Sequence, residues 1–224
     1  MEVTSFACGN KKIEIYQGQG SGLPLVVLNT FSEEGGEVAA ELENIGSLKL
    51  NLVCISNLEW ESDMSPWTAP ALARSEPPFT GGADRYIKEL ETVILPQVRT
   101  YLTGDPEFCA IAGYSLAGLF SIYALYRTEC FDRAASMSGS MWYPKFTEYC
   151  RKHAFKRRPD RLYLSVGDKE ARTRHPILKT VQQCTEDLVN YYREQGIEVK
   201  YELNEGNHFK DSARRTALGI AAVM

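Results

Sequence analysis

Short runs of consecutive apolar residues recur along the chain, separated by segments in which apolar residues return every three or four positions. Residues 25–28, Leu-Val-Val-Leu, carry no alternating polar positions, which is typical of a strand buried on both faces. Runs of this kind predict strands at residues 11–16, 24–28, 50–55, 108–113, 133–137, 161–166 and 198–203.

Helical periodicity fills the segments between these runs. One apolar face begins at Asp84, and we expect Pro96 to kink or interrupt that helix. Residues 116–126 are apolar nearly all round, which predicts a buried helix. We expect Pro176 to open a further helix at its first position and a last helix to span residues 210–223. The alternation predicts an α/β fold with a mainly parallel sheet and helices on both faces.

The segment 57–82 fits neither pattern, since it combines two tryptophans with several prolines. Long irregular loops in compact domains are usually functional or disordered, and the aromatic content argues against disorder. One interpretation is a surface loop that packs its own tryptophans. The other is the wall of a substrate cleft, with Trp67 against the substrate. A length of 224 residues suits a single domain, 1–224, with this loop bordering the active site.

Composition and charge narrow the function. Hydrophobic residues make up 44% and charged residues 24%, as in ordinary globular proteins, and the net charge of −4 argues against a nucleic-acid-binding surface. No apolar run approaches the roughly 18–20 residues that span a bilayer, and the N-terminus lacks the apolar core of a signal peptide. We therefore expect a cytoplasmic protein that does not bind membranes. The six cysteines are scattered, which predicts free thiols and no metal site.

Ser115 is the candidate nucleophile, within the stretch Gly113-Tyr114-Ser115-Leu116-Ala117-Gly118. An apolar strand precedes it and an apolar helix follows it, which is the context of a nucleophile elbow. The motif departs from G-x-S-x-G because Ala117 stands at the second glycine position. The N–H of Leu116, at the start of the helix, is placed to donate to an oxyanion. The alternative is an ordinary Gly–Ser turn at a strand–helix junction.

A serine hydroxyl becomes a good nucleophile when an imidazole takes its proton and a carboxylate orients that imidazole. His153 lies in a basic run, which indicates a solvated face, and His175 precedes a predicted helix as a cap or an exposed side chain. His208 follows the last predicted strand and opens on the same edge of the sheet as Ser115. The sequence therefore favours His208 as the base.

The acid should follow the strand before His208, and both Asp168 and Glu170 do so. Acids in this fold often stand three residues after the glycine that ends the strand. That glycine is Gly167, so Glu170 is preferred and Asp168 stays as the alternative acid.

The second oxyanion donor is expected in the loop after residues 24–28. A backbone N–H of Thr30 or Phe31 is the best candidate, and Asn29 is an alternative brace for the loop. Trp142 follows the strand 133–137 and is expected either to line the substrate pocket or to lie in the core. The basic run 151–158 is interpreted as a solvated helix end rather than a site for an anionic substrate.

With these residues in place, the chain resembles the putative esterase family of α/β hydrolases, which contains esterase-D-type and enterochelin-esterase-like serine hydrolases. The resemblance runs from residue 24 to the C-terminus and depends on residues 111–119, 167–170 and 206–208. Residues 63–67 and 140–144 are similar to small cytosolic members. The resemblance implies ester hydrolysis by Ser115, Glu170 and His208, without metal or cofactor.

We therefore predict an α/β-hydrolase fold without a large cap domain, acting on a small-molecule ester as a serine esterase through an acyl-enzyme. Two alternatives stay open: an acyltransferase with the same triad, and a catalytically silent relative that binds a ligand. The family spans thioesters, aromatic esters, siderophore lactones and acyl transfer, so the resemblance does not select a substrate, and the sequence does not predict an oligomeric state.

Overall fold

The computed structural model describes residues 2–46 and 49–224. The strands in these residues are β1 (Glu2–Cys8), β2 (Lys11–Gln17), β3 (Leu25–Asn29), β4 (Asn51–Ser56), β5 (Thr68–Ala69), β6 (Phe79–Thr80), β7 (Cys109–Tyr114), β8 (Arg133–Met137), β9 (Arg161–Gly167) and β10 (Glu198–Asn204). Each of the seven predicted strands is present, with ends that differ by one residue at most.

The α-helices of the described residues are α1 (Gly35–Asn44), α2 (Trp60–Asp63), α3 (Ala83–Glu89), α4 (Leu95–Arg99), α5 (Leu116–Arg127), α6 (Phe146–Lys152), α7 (Val181–Glu194) and α8 (Ser212–Ala222). The last helix begins two residues later than predicted. No helix in residues 2–46 and 49–224 has both the length and the apolar character needed to cross a membrane.

Eight strands form one sheet in the order β1-β2-β4-β3-β7-β8-β9-β10. The strands from β4 to β10 in this order run parallel, and β2 pairs antiparallel with both β1 and β4. The mainly parallel sheet is therefore confirmed. Strand β1 was not predicted, because it lies at the edge of the sheet and its sequence contains no continuous apolar run.

Helices cover both faces of the sheet, as predicted. Val27 and Ile111 face a large apolar core formed with α3, α5 and α7, whereas Leu28 and Ala112 face a second core formed with α1 and α8. Successive strand residues thus point into different cores, which is why the strand sequences are apolar without alternation.

Pro96 interrupts the α-helical pattern without ending the helix. A π-helical segment, Leu90–Ile94, joins α3 to α4, and Pro96 lies in the first turn of α4. Proline has no N–H, and its ring clashes with the carbonyl four residues earlier in a regular α-helix. The wider π turn accommodates both effects.

The prediction that Pro176 opens a helix is wrong. A 3-10 turn, Leu178–Thr180, precedes α7, so Pro176 lies in the turn before both. The side chain of His175 starts this turn instead, because its Nδ1 accepts the backbone N–H groups of Ile177 and Leu178, each at 3.3 Å.

The segment 57–82 is more regular than its sequence indicates, since it contains α2 and the two-stranded pair of β5 and β6. Its two halves are tied together: the N–H of Gly81 donates to Ser65 Oγ at 2.9 Å, and the N–H of Gly82 donates to the Ser62 carbonyl at 2.9 Å. These contacts join residues far apart in the segment, so local periodicity carries no sign of them.

Candidate active site

Ser115 lies in a tight turn between β7 and α5. Its backbone angles, φ 59° and ψ −121°, belong to a conformation that residues with a side chain rarely adopt. The turn is held by the end of β8 and the loop after it, because the Ser115 N–H donates to the Met137 carbonyl at 3.0 Å and the Ser115 carbonyl accepts the Ser140 N–H at 3.0 Å.

Close packing explains where the small residues of the motif lie. A Cβ at Gly113 would come within 2.4 Å of the Ala117 backbone, and a Cβ at Gly118 would come within 2.8 Å of Ser136 Oγ. The methyl group of Ala117 therefore fits because Gly113 faces it. Close contact with the neighbouring strand occurs at Gly118, which accounts for the shift of the second glycine by one position.

Ser115, His208 and Glu170 meet at the carboxyl edge of the sheet. The Ser115 Oγ lies 3.0 Å from His208 Nε2, and His208 Nδ1 lies 2.7 Å from Glu170 Oε2. The three residues come from the β7–α5 turn, the segment after β9 and the segment after β10. The structure thus brings together the serine, the base and the preferred acid of the sequence analysis.

Glu170 is buried, with a side-chain exposure of 3%. Its Oε1 accepts the hydroxyl of Ser138 at 2.7 Å and the N–H of Gly167 at 2.6 Å. Burial by itself raises the pKa of a carboxyl group, but the hydrogen bonds from His208, Ser138 and Gly167 outweigh it, and the pKa of Glu170 is lowered. The carboxyl group is therefore ionised, and it accepts a hydrogen bond from His208 Nδ1.

Asp168, the alternative acid, has a different contact. Its Oδ1 accepts the backbone N–H of Gly206 at 2.6 Å. This hydrogen bond ties the segment after β9 to the segment after β10, as expected of a turn residue.

A buried arginine holds the segment that carries His208. The side chain of Arg215, in α8, is 4% exposed, and it donates from Nη2 to the Glu205 carbonyl at 2.8 Å and from Nη1 to the Asn207 carbonyl at 3.1 Å. Its Nη1 also lies 3.7 Å from Glu170 Oε1. One guanidinium therefore contacts both the acid and the loop before the base.

Tyr114 adds a third donor to the same loop. Its hydroxyl donates to the His208 carbonyl at 2.8 Å and accepts from Arg215 Nη1 at 3.2 Å. Burial raises the pKa of Tyr114, so the hydroxyl keeps its proton for this bond.

The two backbone groups proposed from the β3 loop differ. The Thr30 N–H donates to the Ile55 carbonyl at 3.0 Å, so the expectation that it serves an oxyanion is wrong. Within the described residues, no acceptor lies against the Phe31 N–H. The side chain of Asn29 braces the loop, because its Oδ1 accepts the buried Tyr86 hydroxyl at 2.6 Å.

Leu116 is the first residue of α5. The first N–H groups of a helix have no partner within the helix, and they carry the positive end of its dipole. The Leu116 N–H is therefore available to an anion beside Ser115.

Two cavities adjoin Ser115, and both are also lined by His208 and Phe209. The first has a volume of about 380 Å³ and includes Phe31 and Trp60 among its lining residues. The second has a volume of about 230 Å³. Trp142 and Leu72 line this second cavity. The segment 57–82 thus contributes one residue to each cavity.

Trp67 does not line either cavity, contrary to the expectation that it contacts substrate. Its Nε1 donates to the Pro144 carbonyl at 3.0 Å, and its ring packs against Tyr143 and Tyr149 with centroid distances of 5.9 and 5.3 Å. The tryptophan joins the segment to the core, because an indole buries more apolar area there than at a wet cleft.

Several residues of the site were not predicted from the sequence. Arg215 resembles an exposed helix residue in the sequence, and Ser138 lies in an ordinary loop. Phe209 lines both cavities, and its position directly after His208 is the sequence signal that could have found it. In the described part of the chain, no group of three or more His, Cys, Asp or Glu side chains is arranged to hold a metal ion.

Solved structures with this fold include several hydrolases. The siderophore hydrolase EstA from Aspergillus nidulans superposes with a TM-score of 0.77 at 19% identity, covering 98% of this chain and 92% of that one. An IroE-like serine hydrolase from Shewanella oneidensis has a TM-score of 0.78 at 17% identity, covering 98% and 78%. The enterobactin and salmochelin hydrolase IroE has a TM-score of 0.67 at 18% identity, covering 99% and 94%. At these identities the likeness establishes the fold.

Sequence comparison finds a relative and a family. The uncharacterized protein YbbA of Bacillus subtilis (strain 168) is 26% identical over 137 residues, which are 60% of this chain. The match spans about half of that relative, 55% of its length. The family model described as "Putative esterase" matches residues 29–212, which include Ser115, Glu170 and His208. The chain therefore belongs to the putative esterase family.

Proposed function

We propose that this chain hydrolyses carboxylic esters through an acyl-enzyme formed on Ser115. The observation that carries the proposal is the continuous hydrogen-bonded series from Ser115 Oγ through His208 to Glu170. Membership in the putative esterase family supports the reaction class. Fold neighbours described as a siderophore hydrolase and a serine hydrolase agree with it.

In the first half of the reaction, Ser115 Oγ attacks the ester carbonyl carbon while His208 Nε2 takes the hydroxyl proton. Glu170 accepts the Nδ1–H of His208 and stabilises the imidazolium that forms. The tetrahedral intermediate then loses the alcohol, which receives the proton from His208 Nε2. The products of this half are the free alcohol and an ester between Ser115 and the acyl group.

The carbonyl oxygen becomes an anion in the tetrahedral intermediate and needs hydrogen-bond donors. The Leu116 N–H at the start of α5 is one donor, and the Phe31 N–H is the second. Each donor of this kind typically contributes about 10²- to 10³-fold to the rate.

In the second half, His208 takes a proton from water as the water oxygen attacks the acyl carbon. The bond between the acyl carbon and Ser115 Oγ then breaks, the carboxylic acid leaves, and His208 Nε2 returns the proton to Ser115 Oγ. If an alcohol replaces water here, the same residues perform acyl transfer, so adding an acceptor alcohol and identifying the products separates the two reactions.

A fluorophosphonate probe tests the nucleophile. We expect the probe to label the peptide that contains Ser115 in the parent and to leave Ser115→Ala unlabelled. The control is Ser75→Ala, which removes an exposed serine of the segment 57–82 and should be labelled as in the parent. Hydrolysis of short aryl esters should fall by at least about 10⁴-fold in Ser115→Ala. If Ser115→Ala cleaved these esters at the parental rate, the proposal would be wrong. Folded parent protein that takes up no probe would point to the silent relative.

We also propose a cytoplasmic location. All six cysteines are free, and Cys54, Cys109 and Cys150 are buried, which suits a reducing compartment. Cell fractionation with an antibody to the chain tests this location.

A further inference from the structure

The two cavities beside Ser115 differ in size, and each is lined by one acidic residue and by no lysine or arginine of the described chain. We propose that the substrate is an ester whose longer portion is apolar and either uncharged or cationic, and that this portion occupies the first cavity, with Glu34 selecting against anionic groups. This inference rests on the proposed function, since it names the substrate class of the same site.

The larger cavity suits an apolar group. Its volume of about 380 Å³ lies within the range of roughly 300–1,000 Å³ that is common for ligand pockets. Leu28 and Val38 line its inner part. Phe31, which is 67% exposed, meets Trp60 edge to face with ring centroids 5.1 Å apart. Exposed aromatic residues at a cavity favour contact with an apolar ligand, since this contact removes their surface from water.

The charges around the two cavities have one sign. In the described part of the chain, no lysine or arginine lines either cavity. The acidic residue of the first cavity is Glu34, and that of the second is Glu170. The Glu34 Oε2 accepts the N–H of Ser32 at 2.9 Å, which holds the carboxylate beside the β3 loop. A carboxylate or phosphate on the substrate would therefore meet a negative charge without a cation to pair with it.

The second cavity accepts the shorter portion of the ester. Its volume of about 230 Å³ is smaller than that of the first, and Leu72, Leu178 and Val181 line it together with Trp142. The buried carboxylate of Glu170 is also among its lining residues. This cavity therefore suits a compact group without negative charge.

A series of methyl esters tests the charge preference. Three esters with acyl chains of equal length end in a methyl group, a carboxylate or a trimethylammonium group, and the release of methanol gives kcat/KM for each. We expect the carboxylate-terminated ester to have a kcat/KM at least about tenfold below that of the methyl-terminated ester, because it lacks a cationic partner. We expect the trimethylammonium-terminated ester to stay within about threefold of the methyl-terminated one.

Glu34→Gln identifies the source of this preference. We expect this variant to narrow the gap between the carboxylate-terminated and methyl-terminated esters by at least about threefold. The matched control is Glu37→Gln, which removes an exposed carboxylate from the first turn of the same helix, α1, away from both cavities. We expect the same gap in Glu37→Gln as in the parent.

Ala213→Phe tests which cavity holds the longer portion. Ala213 lines the first cavity, so a phenyl ring there fills space that a long acyl chain needs. We expect the ratio of kcat/KM for methyl octanoate to that for methyl acetate to fall by about tenfold or more. Arg214→Phe places the same ring on the neighbouring exposed position of α8, outside both cavities, and should keep the parental ratio.

Probe labelling separates the two proposals. If Ser115 takes up the fluorophosphonate but the carboxylate-terminated ester reacts as fast as the methyl-terminated one, the charge inference is wrong and the hydrolase proposal stands. If Ala213→Phe keeps the parental chain-length ratio while it still labels, the assignment of the first cavity is wrong. If folded parent protein takes up no probe, the proposed function itself fails.

Discussion

The turn that carries Ser115 and the loop that carries His208 are held in place by different means. The turn depends on backbone contacts: Gly113 lies against Ala117, and the Ser115 carbonyl accepts the N–H groups of Gly118 and Leu119 as well as that of Ser140. The loop depends on side chains from elsewhere. Its backbone carbonyls accept hydrogen bonds from Arg215 and Tyr114.

This difference separates two ways to position a reactive group. A tight turn that needs small residues at fixed positions leaves a local signature, so the sequence of residues 113–118 shows it directly. A loop held by side-chain donors requires the folded sheet, because Tyr114 reaches it from the end of β7 and Arg215 reaches it from α8. We therefore expect changes in the turn to affect folding and activity together, whereas changes around the loop should mainly affect activity.

Among changes around the loop that carries His208, replacing the acid should lower the rate of ester hydrolysis most. Glu170→Gln keeps the shape of the side chain but replaces the carboxylate that accepts the His208 Nδ1–H, so we expect ester hydrolysis to fall by about 10³- to 10⁴-fold. Asp168→Asn is the matched control, since it removes a carboxylate that contacts the Gly206 N–H instead. Steady-state kinetics on both variants compares them, and a greater loss in Asp168→Asn would exchange their roles.

Gly113→Ala tests the packing of the turn that carries Ser115. The added methyl group would come within 2.4 Å of the Ala117 backbone, so strand and helix must separate and Ser115 must move. We expect fluorophosphonate labelling to slow by about 100-fold and the free energy of unfolding to fall by about 1–3 kcal/mol.

Gly36→Ala is the control for this substitution. A Cβ at Gly36 meets Tyr16 Oη at 3.6 Å, an ordinary contact within α1, so labelling should match the parent and the free energy of unfolding in urea should stay equal or rise by up to about 1 kcal/mol. Parental labelling in Gly113→Ala would show that the turn tolerates a wider separation of β7 and α5.

Arg215→Met removes the guanidinium that holds the His208 loop. We expect kcat to fall by at least about tenfold with little change in KM, because the guanidinium makes two hydrogen bonds to this loop and each charge-assisted bond is worth about 1.5–3 kcal/mol. Arg215→Lys should recover part of kcat, since an ammonium group still donates to the loop.

Arg214→Met provides the comparison on the neighbouring position, where the exposed side chain pairs with Glu41 at 3.6 Å. We expect kinetics close to the parent. Equal losses in Arg214→Met and Arg215→Met would assign the effect to α8 as a whole rather than to the loop.

The pH dependence of stability should show the smallest effect. Because the pKa of Glu170 is lowered from its ordinary value of 4.5 in the folded protein, its ionised form stabilises the fold above that value. The contribution is lost as the pH falls through the lowered folded pKa. Urea unfolding of the parent and of Glu170→Gln should therefore give stability curves that converge as the pH falls below about 4. A constant difference at all pH values would contradict this.

Much of the architecture was predictable from local patterns. Doubly buried strands such as β3 and β7 have continuous apolar sequences, and α5 is apolar on every side, so their periodicity carries their burial. Strand β1 and the pair of β5 and β6 were missed, because short or edge strands carry no such run. Pro96 and Pro176 were placed in plausible roles, yet a π turn and the side chain of His175 determined the local geometry.

The sequence by itself determined the α/β architecture, Ser115 at its strand–helix turn and His208 as the favoured base, because burial and tight turns leave local signatures. Only the tertiary structure brought Glu170 rather than Asp168 to His208, paired the Thr30 N–H with Ile55, moved Trp67 away from the cavities and set Arg215 beneath the loop. These features depend on which distant groups meet at the edge of the sheet. Contacts of this kind are fixed by the packing of whole strands and helices, which the spacing of residues along the chain does not reveal.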